Sequence, residues 1–258
     1  MEMQNNGLCV RKMNMYKPHE QYQGHLKSIC YERPELSQMS ENMPPHTFLA
    51  VELYGNNSHA QFKKLCEEEH DKSFRIRFGG NIYYSNNSSN SNVESQFVFQ
   101  DNRVKLFLCS SALFKNSTLC IIKPHALREG NMGKIISQIQ ANGFIVSALK
   151  MFHFARSNCE EFLDVYKGVV PEYESMVMQM ISGDCVGLEI VNKYDDGIST
   201  YQSFRNFCGP VCPEIASITK PHTLRAQFGI NKVMNAVYCT DLEEDTKLEL
   251  EYVFKFLE

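Results

Sequence analysis

The sequence predicts a mixed α/β protein in two halves, the second a four-stranded sheet covered by helices and the first a shorter version of the same pattern. Three observations carry this. Through residues 118–257, short β-branched runs alternate with apolar residues at helical spacing. Four segments of the first half recur in the same order in the second. A β-branched run, Thr118–Ile122, stops abruptly at Lys123-Pro124, and it is answered late in the chain by Thr223–Gly229 and Asn235–Asp241.

With 258 residues, the chain can build one large core or two small ones. Its composition, 43% apolar and 22% charged, is that of a globular protein, and a net charge of −4 gives no reason to expect nucleic acid as a partner. No apolar run is long enough to cross a membrane, so no membrane partner is expected, and the start Met1–Gly7 has no secretory pattern. The ten cysteines are scattered without a CxxC pair, Cys208 and Cys212 being closest, so free buried thiols in a reducing compartment are expected and no metal site is. With no secretory signal, the sequon Asn116-Ser117-Thr118 carries no expectation of glycosylation.

In chain order, residues 7–16 read as a strand and Lys17–Asn42 as a polar, mostly helical stretch broken at Pro18 and Pro34. Thr47–Leu53 reads as a buried strand, and His59–Cys66 as a short helix with Ala60, Phe62 and Leu65 inward. The Asn/Ser-rich tract from Asn81 to Asn92 has too little apolar content for a core element and is expected to be a loop. Val93–Phe99 resume an apolar pattern, and Gln100–Asn116 connect to the second half.

There, strand 118–122 leads through a turn at Glu129–Asn131 into a helix with Met132, Ile135, Ile136 and Ile139 on one face, stopped at Gly143. Phe144–Phe154 is the second strand. Ser157 with Glu160 predicts a capping box, and Pro171 the first turn of another helix whose face is Tyr173, Met176, Val177 and Met180, closed by Gly183. Cys185–Val191 is the third strand, Thr200–Cys208 a helix with Phe204, Phe207 and Cys208 inward, and Val233–Cys239 the fourth strand. Asp241 and Glu244 are expected to cap a last helix running through Leu257. This order is that of a split β-α-β, ferredoxin-like sheet.

The repeat pairs Thr47–Leu53 with Cys185–Val191, Phe62–Cys66 with Phe204–Cys208, Ser73–Gly79 with Thr223–Gly229, and Val93–Phe99 with Leu248–Phe254. The first copy has no counterpart of the Lys123 strand or of helix 132–142. Residues 1–105 thus read as a degenerate, N-terminally truncated domain and 106–258 as a second, fuller one.

The lysine-Pro strand end and the Asn235–Asp241 segment resemble the nucleoside diphosphate kinase family, whose closing segment reads Asn-x-x-His-Gly-Ser-Asp with the histidine as nucleophile. Phe207–Pro210, Asn235–Leu242 and Tyr252–Leu257 are similar to family members that carry two kinase-like domains in tandem and are ciliary and centrosomal. The resemblance implies two tandem ferredoxin-like kinase folds, the first lacking its first strand and helix. By the same resemblance, Lys123, Arg205, Arg225 and Asn235 match residues that hold phosphates or ribose, with Mg²⁺ accompanying any nucleotide. Thr240 and Glu249 match the pair that orients the histidine. Tyr238 stands in the histidine's place, Val211 replaces a phosphate-contacting threonine, and Glu172 a base-stacking phenylalanine.

The family's chemistry passes a γ-phosphoryl group through the histidine. An imidazole titrates near pH 6.5, whereas a phenol at about 10 is neither an available nucleophile nor a good donor once phosphorylated. The first copy's equivalent turn, Asn81–Ser85, also lacks histidine. His125 and His222 lie near the motif but outside the nucleophile's slot, and packing or surface roles are expected for them.

Three readings follow. One is a catalytically silent scaffold which, by resemblance, would sit inside axonemal doublet microtubules in the cytoskeleton of the cilium. Its partners would be tubulin and other axonemal proteins, and also the γ-tubulin ring complex at the centrosome. The alternative is an active or residual nucleoside diphosphate kinase using another residue. The third is a nucleotide-binding module without turnover. Turnover of ATP with nucleoside diphosphates separates the second reading from the others, and thermal stabilisation by nucleotide alone marks the third.

Overall fold

The computed structural model describes residues 7–67, 73–194 and 197–257. The chain forms two compact units, Met1–Ser110 and Ser111–Glu258.

The second unit is built on β4 (Ser117–Ile122), the strand that ends at Lys123. All six of its residues are buried because it pairs on both edges, antiparallel to β6 (Cys185–Asn192) and to β7 (Val237–Cys239). β5 (Phe144–Phe152) completes the sheet by pairing with β6. Numbered within the unit, the order is 2-3-1-4, all antiparallel, which is the ferredoxin-like arrangement.

Pro124, which cannot continue a β-ladder, opens the short helix α6 (Pro124–Arg128) at its first position. Helix α7 (Met132–Ala141) buries Ile135 and Ile139, and Gly143, at φ 84°, supplies the left-handed residue that stops it. Two helices, α8 (Arg156–Phe162) and α9 (Tyr173–Met180), bridge β5 to β6. Helix α10 (Thr200–Cys208) is capped by the Ser199 hydroxyl, which accepts from the Gln202 amide at 3.3 Å. Helices α11 (Pro213–Thr219) and α12 (Leu224–Phe228) precede β7. The chain closes with α13 (Thr246–Glu251) and a π-helical turn, Tyr252–Phe256. The core joins Leu119 and Ile121 of β4 to Phe152, Phe154, Val177, Met180, Leu250 and Val253. Each such side chain contributes roughly 1.5–3 kcal/mol by leaving water.

Four expectations for this unit change. The fourth strand spans 237–239 and not 233–239, because Ala236 sits at φ 68° and breaks the extended run. The Ser157–Glu160 capping box does not form: α8 starts at Arg156, leaving Ser157 inside the helix, and Glu160 pairs with Arg156 at 2.6 Å. Pro171 lies in the turn before α9, outside the helix. Neither Asp241 nor Glu244 caps the last helix; Glu244 lies in a 3-10 turn, and Asp241 is engaged by Arg205 and Tyr166.

In the first unit, β1 (Cys9–Pro18) is followed by helices α1 (Tyr22–Glu32) and α2 (Ser37–Asn42), then β2 (Phe48–Tyr54). Helices α3 (Ser58–Glu67), α4 (Phe74–Arg77) and α5 (Ser88–Gln100) precede the short β3 (Leu108–Ser110), which pairs with β1. Tyr22, Leu26, Leu36, Phe97 and Phe107 centre its core.

The Asn/Ser tract is a loop only up to Asn87. From Ser88 it is helical, because the Asn87 carboxamide accepts from the Asn90 amide at 2.8 Å and Phe97 anchors the far end. Thr47–Leu53, expected as a buried strand, is β2 with alternating exposure. Ala60 of α3 faces solvent.

Elements of the two units correspond in order. β1 pairs antiparallel with β2 as β5 does with β6, and each pair carries one bulge, at Arg11 and at Ser147, beside a glutamate on the partner strand, Glu52 and Glu189. This register aligns Phe48 with Cys185, one residue away from the pairing read off the sequence pattern alone. Helix α3 corresponds to α10, α4 to α12, and α5 to the closing helix.

Candidate functional site

Tyr238 leaves the middle of β7 with its ring buried edge-on against Phe162, centroids 5.2 Å apart. Its hydroxyl donates to Glu249 Oε1 at 2.5 Å, and the Thr240 hydroxyl donates to Glu249 Oε2 at 2.7 Å. The strand sends Tyr238 and Thr240 to one face because they are two residues apart. Helix α13, crossing that face, brings Glu249 between them. Burial pushes the Glu249 carboxyl up to about 7 despite these two donors. Burial, with the Glu249 carboxyl beside it, pushes the Tyr238 phenol well above its ordinary value. Tyr166, which lies beside Tyr238, joins the network by donating to Asp241. Asp241 in turn holds Arg205, which also donates to the Thr240 carbonyl at 3.0 Å.

The first unit holds the same constellation. Tyr83 donates to Glu94 Oε1 at 2.8 Å, and Ser85 donates to Glu94 Oε2. The spacing is shared, since each tyrosine precedes its glutamate by eleven residues and each hydroxyl residue precedes it by nine. Burial and the Glu94 carboxylate raise the Tyr83 phenol as well. The match between Val93–Phe99 and Leu248–Phe254 contains this Glu94–Glu249 pair, so the sequence carried the signal.

The residues matched to phosphate and ribose groups are directed at the protein's own backbone. Lys123 is buried and donates to the Val233 carbonyl at 3.0 Å. Burial, with the Arg225 guanidinium adding repulsion, pulls its ammonium down to about 7. Arg225 is buried too, donating to the Gly209 carbonyl at 2.9 Å, to the Val237 carbonyl at 3.3 Å and to Cys239 Sγ at 3.5 Å. Asn235 donates to the Val211 carbonyl at 3.2 Å, while its Oδ1 is buried without a partner. Glu172 forms an ion pair with Lys232 at 3.7 Å.

His125 is buried beneath this cluster. Its Nε2 accepts from the Ala236 amide at 3.2 Å and its Nδ1 faces the Gln179 carboxamide at 2.9 Å. That pairing places the ring proton on Nδ1 and assigns the carboxamide oxygen to face it. Burial and the nearby Lys123 pull His125 down to about 4, so it is a neutral structural group. His222 is exposed and uses its carbonyl to accept from Gln227.

Tyr238, Thr240 and Glu249 are therefore brought together, Arg205 reaches them through Asp241, and Lys123, Arg225 and Asn235 form a neighbouring buried group. In this arrangement the buried Lys123 and Arg225 side chains, which would meet the phosphates of a magnesium nucleotide, are bonded to backbone carbonyls and to Cys239 Sγ, while Asn235 Oδ1 offers a free acceptor for a hydroxyl. Among the described residues, no cluster of three or more His, Cys, Asp or Glu could hold a metal ion. Reasoning from sequence missed Tyr166, whose role depends on a contact across 75 residues, and it misassigned Asp241.

Residues 116–258 match the family described as nucleoside diphosphate kinase. The chain is 36% identical to nucleoside diphosphate kinase homolog 7 of Rattus norvegicus, over 98% of its own length and 66% of that protein's. The homolog 7 of Mus musculus matches with the same identity and coverage. The chain thus spans just under two thirds of the length of these relatives. The nucleoside diphosphate kinase of Aquifex aeolicus is 34% identical over 55% of the chain and 95% of its own length. The crystal structure of the Aquifex aeolicus enzyme superposes with a TM-score of 0.49 at 33% identity, covering 54% of this chain and 95% of that one.

Proposed function

Because this chain belongs to the nucleoside diphosphate kinase family, we propose that it is a catalytically silent member acting as a structural component of axonemal doublet microtubules. The observation that supports silence is the tyrosine–glutamate lock repeated in both units. At the position that resembles the family's nucleophile, Tyr238 donates its phenolic proton to Glu249 and buries its ring, and the half-buried Tyr83 donates likewise to Glu94. A nucleophile must lose its proton to attack phosphorus. Here burial and an adjoining carboxyl hold that proton in place.

The decisive measurement is phosphoryl transfer from ATP to nucleoside diphosphates by the natural chain and by Tyr238→His. Both are expected to show no turnover above background, since restoring the imidazole leaves Lys123 and Arg225 bonded to carbonyls and Glu172 paired with Lys232. Turnover by the natural chain overturns the reading. Turnover by Tyr238→His alone would mean that the buried cations open readily onto a triphosphate.

The scaffold half of the proposal rests on the resemblance to tandem-domain ciliary members. A net charge of −4 leaves room for a local patch that meets an acidic tubulin surface. Fractionation of axonemes tests it: the chain is expected with the doublet microtubules after membrane and matrix are extracted. Complete release into the soluble fraction counts against it.

A further inference from the structure

In the second unit β6 is paired on both edges, by β5 on one and by β4 on the other, in register from Ser117↔Val191 to Ile122↔Val186. β2, its counterpart by the shared bulge and by Glu52, is paired with β1 on one edge. Among the described residues, no strand pairs with its other edge. Side-chain exposure records the difference. Val186, Leu188 and Ile190 are each 0% exposed, whereas the residues in their places, Leu49 and Val51, are 47% and 37% exposed and Leu53 is half-buried. On the flanking helices, Phe204 is fully buried and its counterpart Phe62 only half-buried.

An open edge offers a row of unpaired N–H and C=O groups, and proteins usually blunt such edges with proline, lysine or a bulge in the edge strand. β2 reads Phe-Leu-Ala-Val-Glu-Leu-Tyr, with neither proline nor lysine, and the bulge lies in its partner β1. What fits there is legible from the second unit, where the same edge is filled by an antiparallel strand of Ser, Thr, Leu, Cys, Ile and Ile.

We propose that the outer edge of β2 accepts an extended apolar segment of a binding partner, added as an antiparallel strand in the place that β4 holds in the second unit. The backbone ladder would supply most of the affinity, and alternate side chains the selectivity. By the register of the second unit, the added strand places a large aliphatic residue opposite Leu49, as Ile122 lies opposite Val186, and a small apolar one opposite Val51, as Cys120 lies opposite Leu188. Glu52 would face an apolar residue, as Glu189 faces Leu119. The proposal is independent of whether the chain transfers phosphate.

The probe is a synthetic peptide with the sequence Ser117–Lys123, titrated into the full chain while amide exchange is followed. Saturable protection confined to residues 48–54, slowing exchange by about tenfold or more, is expected. A peptide carrying Ile121→Pro should lose this effect, because proline cannot donate to the ladder. The protein variant Leu49→Lys/Val51→Lys changes two exposed positions and should weaken binding by about tenfold or more while keeping the fold. No protection of 48–54 at saturating peptide, or protection elsewhere only, overturns the proposal. So does protection of 48–54 that grows with protein concentration in the absence of peptide, since a second copy would then fill the edge.

Discussion

Replacing Glu189 by alanine is expected to destabilise the second unit by about 3–5 kcal/mol, because four donors lose their acceptor and each one left buried and unpaired costs about 1–3 kcal/mol. Glu189 lies in the central strand β6 and is fully buried. Its two oxygens accept four bonds: from the Leu113 and Phe114 amides at 2.7 Å each, from the Ser117 hydroxyl at 2.8 Å and from the Ser147 hydroxyl at 2.6 Å. Two of these donors are backbone amides in a turn where Phe114 sits at φ 53° and Asn116 at φ 46°, conformations that non-glycine residues hold only when fastened. Alanine leaves those amides without their acceptor and removes the clamp on the turn. Urea denaturation of the full chain measures the loss. Glu52 is the internal control. It holds the same place beside a bulge, but its partners are the largely exposed Arg11 at 3.2 Å, Lys12 at 3.9 Å and the Ser95 hydroxyl at 2.7 Å. These side chains can turn to water when it is removed, so Glu52→Ala should cost only about 1 kcal/mol. Equal losses at the two positions would refute the burial argument.

The second large effect concerns pH. In the folded chain the Lys123 ammonium is pulled from 10.5 down to about 7 by burial and by Arg225. The depressed value means that the folded state gives up a proton which the unfolded chain keeps. The associated stability is therefore full above pH 10.5 and is lost as pH falls through about 7. The slope approaches about 1.4 kcal/mol per pH unit, and the total is on the order of 5 kcal/mol. Lys123→Met keeps the apolar stem and removes the titrating group. It is expected to be more stable than the natural chain near pH 7 and to converge with it towards pH 10. Taking the difference between the two proteins separates the lysine from Cys239, whose thiol is pulled down to about 6 by the Cys208 thiol and by Arg225 and titrates in an overlapping range. A difference that does not change between pH 7 and 10 would show that Lys123 stays charged in the fold.

At lower pH two groups oppose one another. The Glu249 carboxyl, raised to about 7, stabilises the fold below 4.5, and this contribution is lost as pH rises through 7. The His125 imidazole, lowered to about 4, stabilises it above 6.5, and that contribution is lost as pH falls through 4. The two nearly cancel between pH 4.5 and 6.5, so the alkaline window is where the buried cluster shows itself.

The sequence by itself determined the elements whose pattern is local. The β-branched run 118–122 ending at proline, the helix face through Ile135 and Ile139 stopped at Gly143, and the helix 200–208 with Phe204 and Cys208 inward all follow from periodicity and from residues that end a ladder or a helix. It also singled out Tyr238, Thr240 and Glu249, which the fold brings together, because they lie in motifs set by chain order alone.

Contacts between distant residues were decided only by the tertiary structure. A side-chain oxygen near a helix start caps it if nothing stronger is in reach; for Asp241, Arg205 and Tyr166 were in reach, and the cap was lost. The tract 81–92 is polar enough for a loop, yet Asn87 and the distant anchor Phe97 draw its second part into a helix. Charge on Lys123 and Arg225 could be read from the residues, but not which acceptors they meet. Backbone carbonyls, fixed in place once β7 and its neighbouring turns had packed, took those donors.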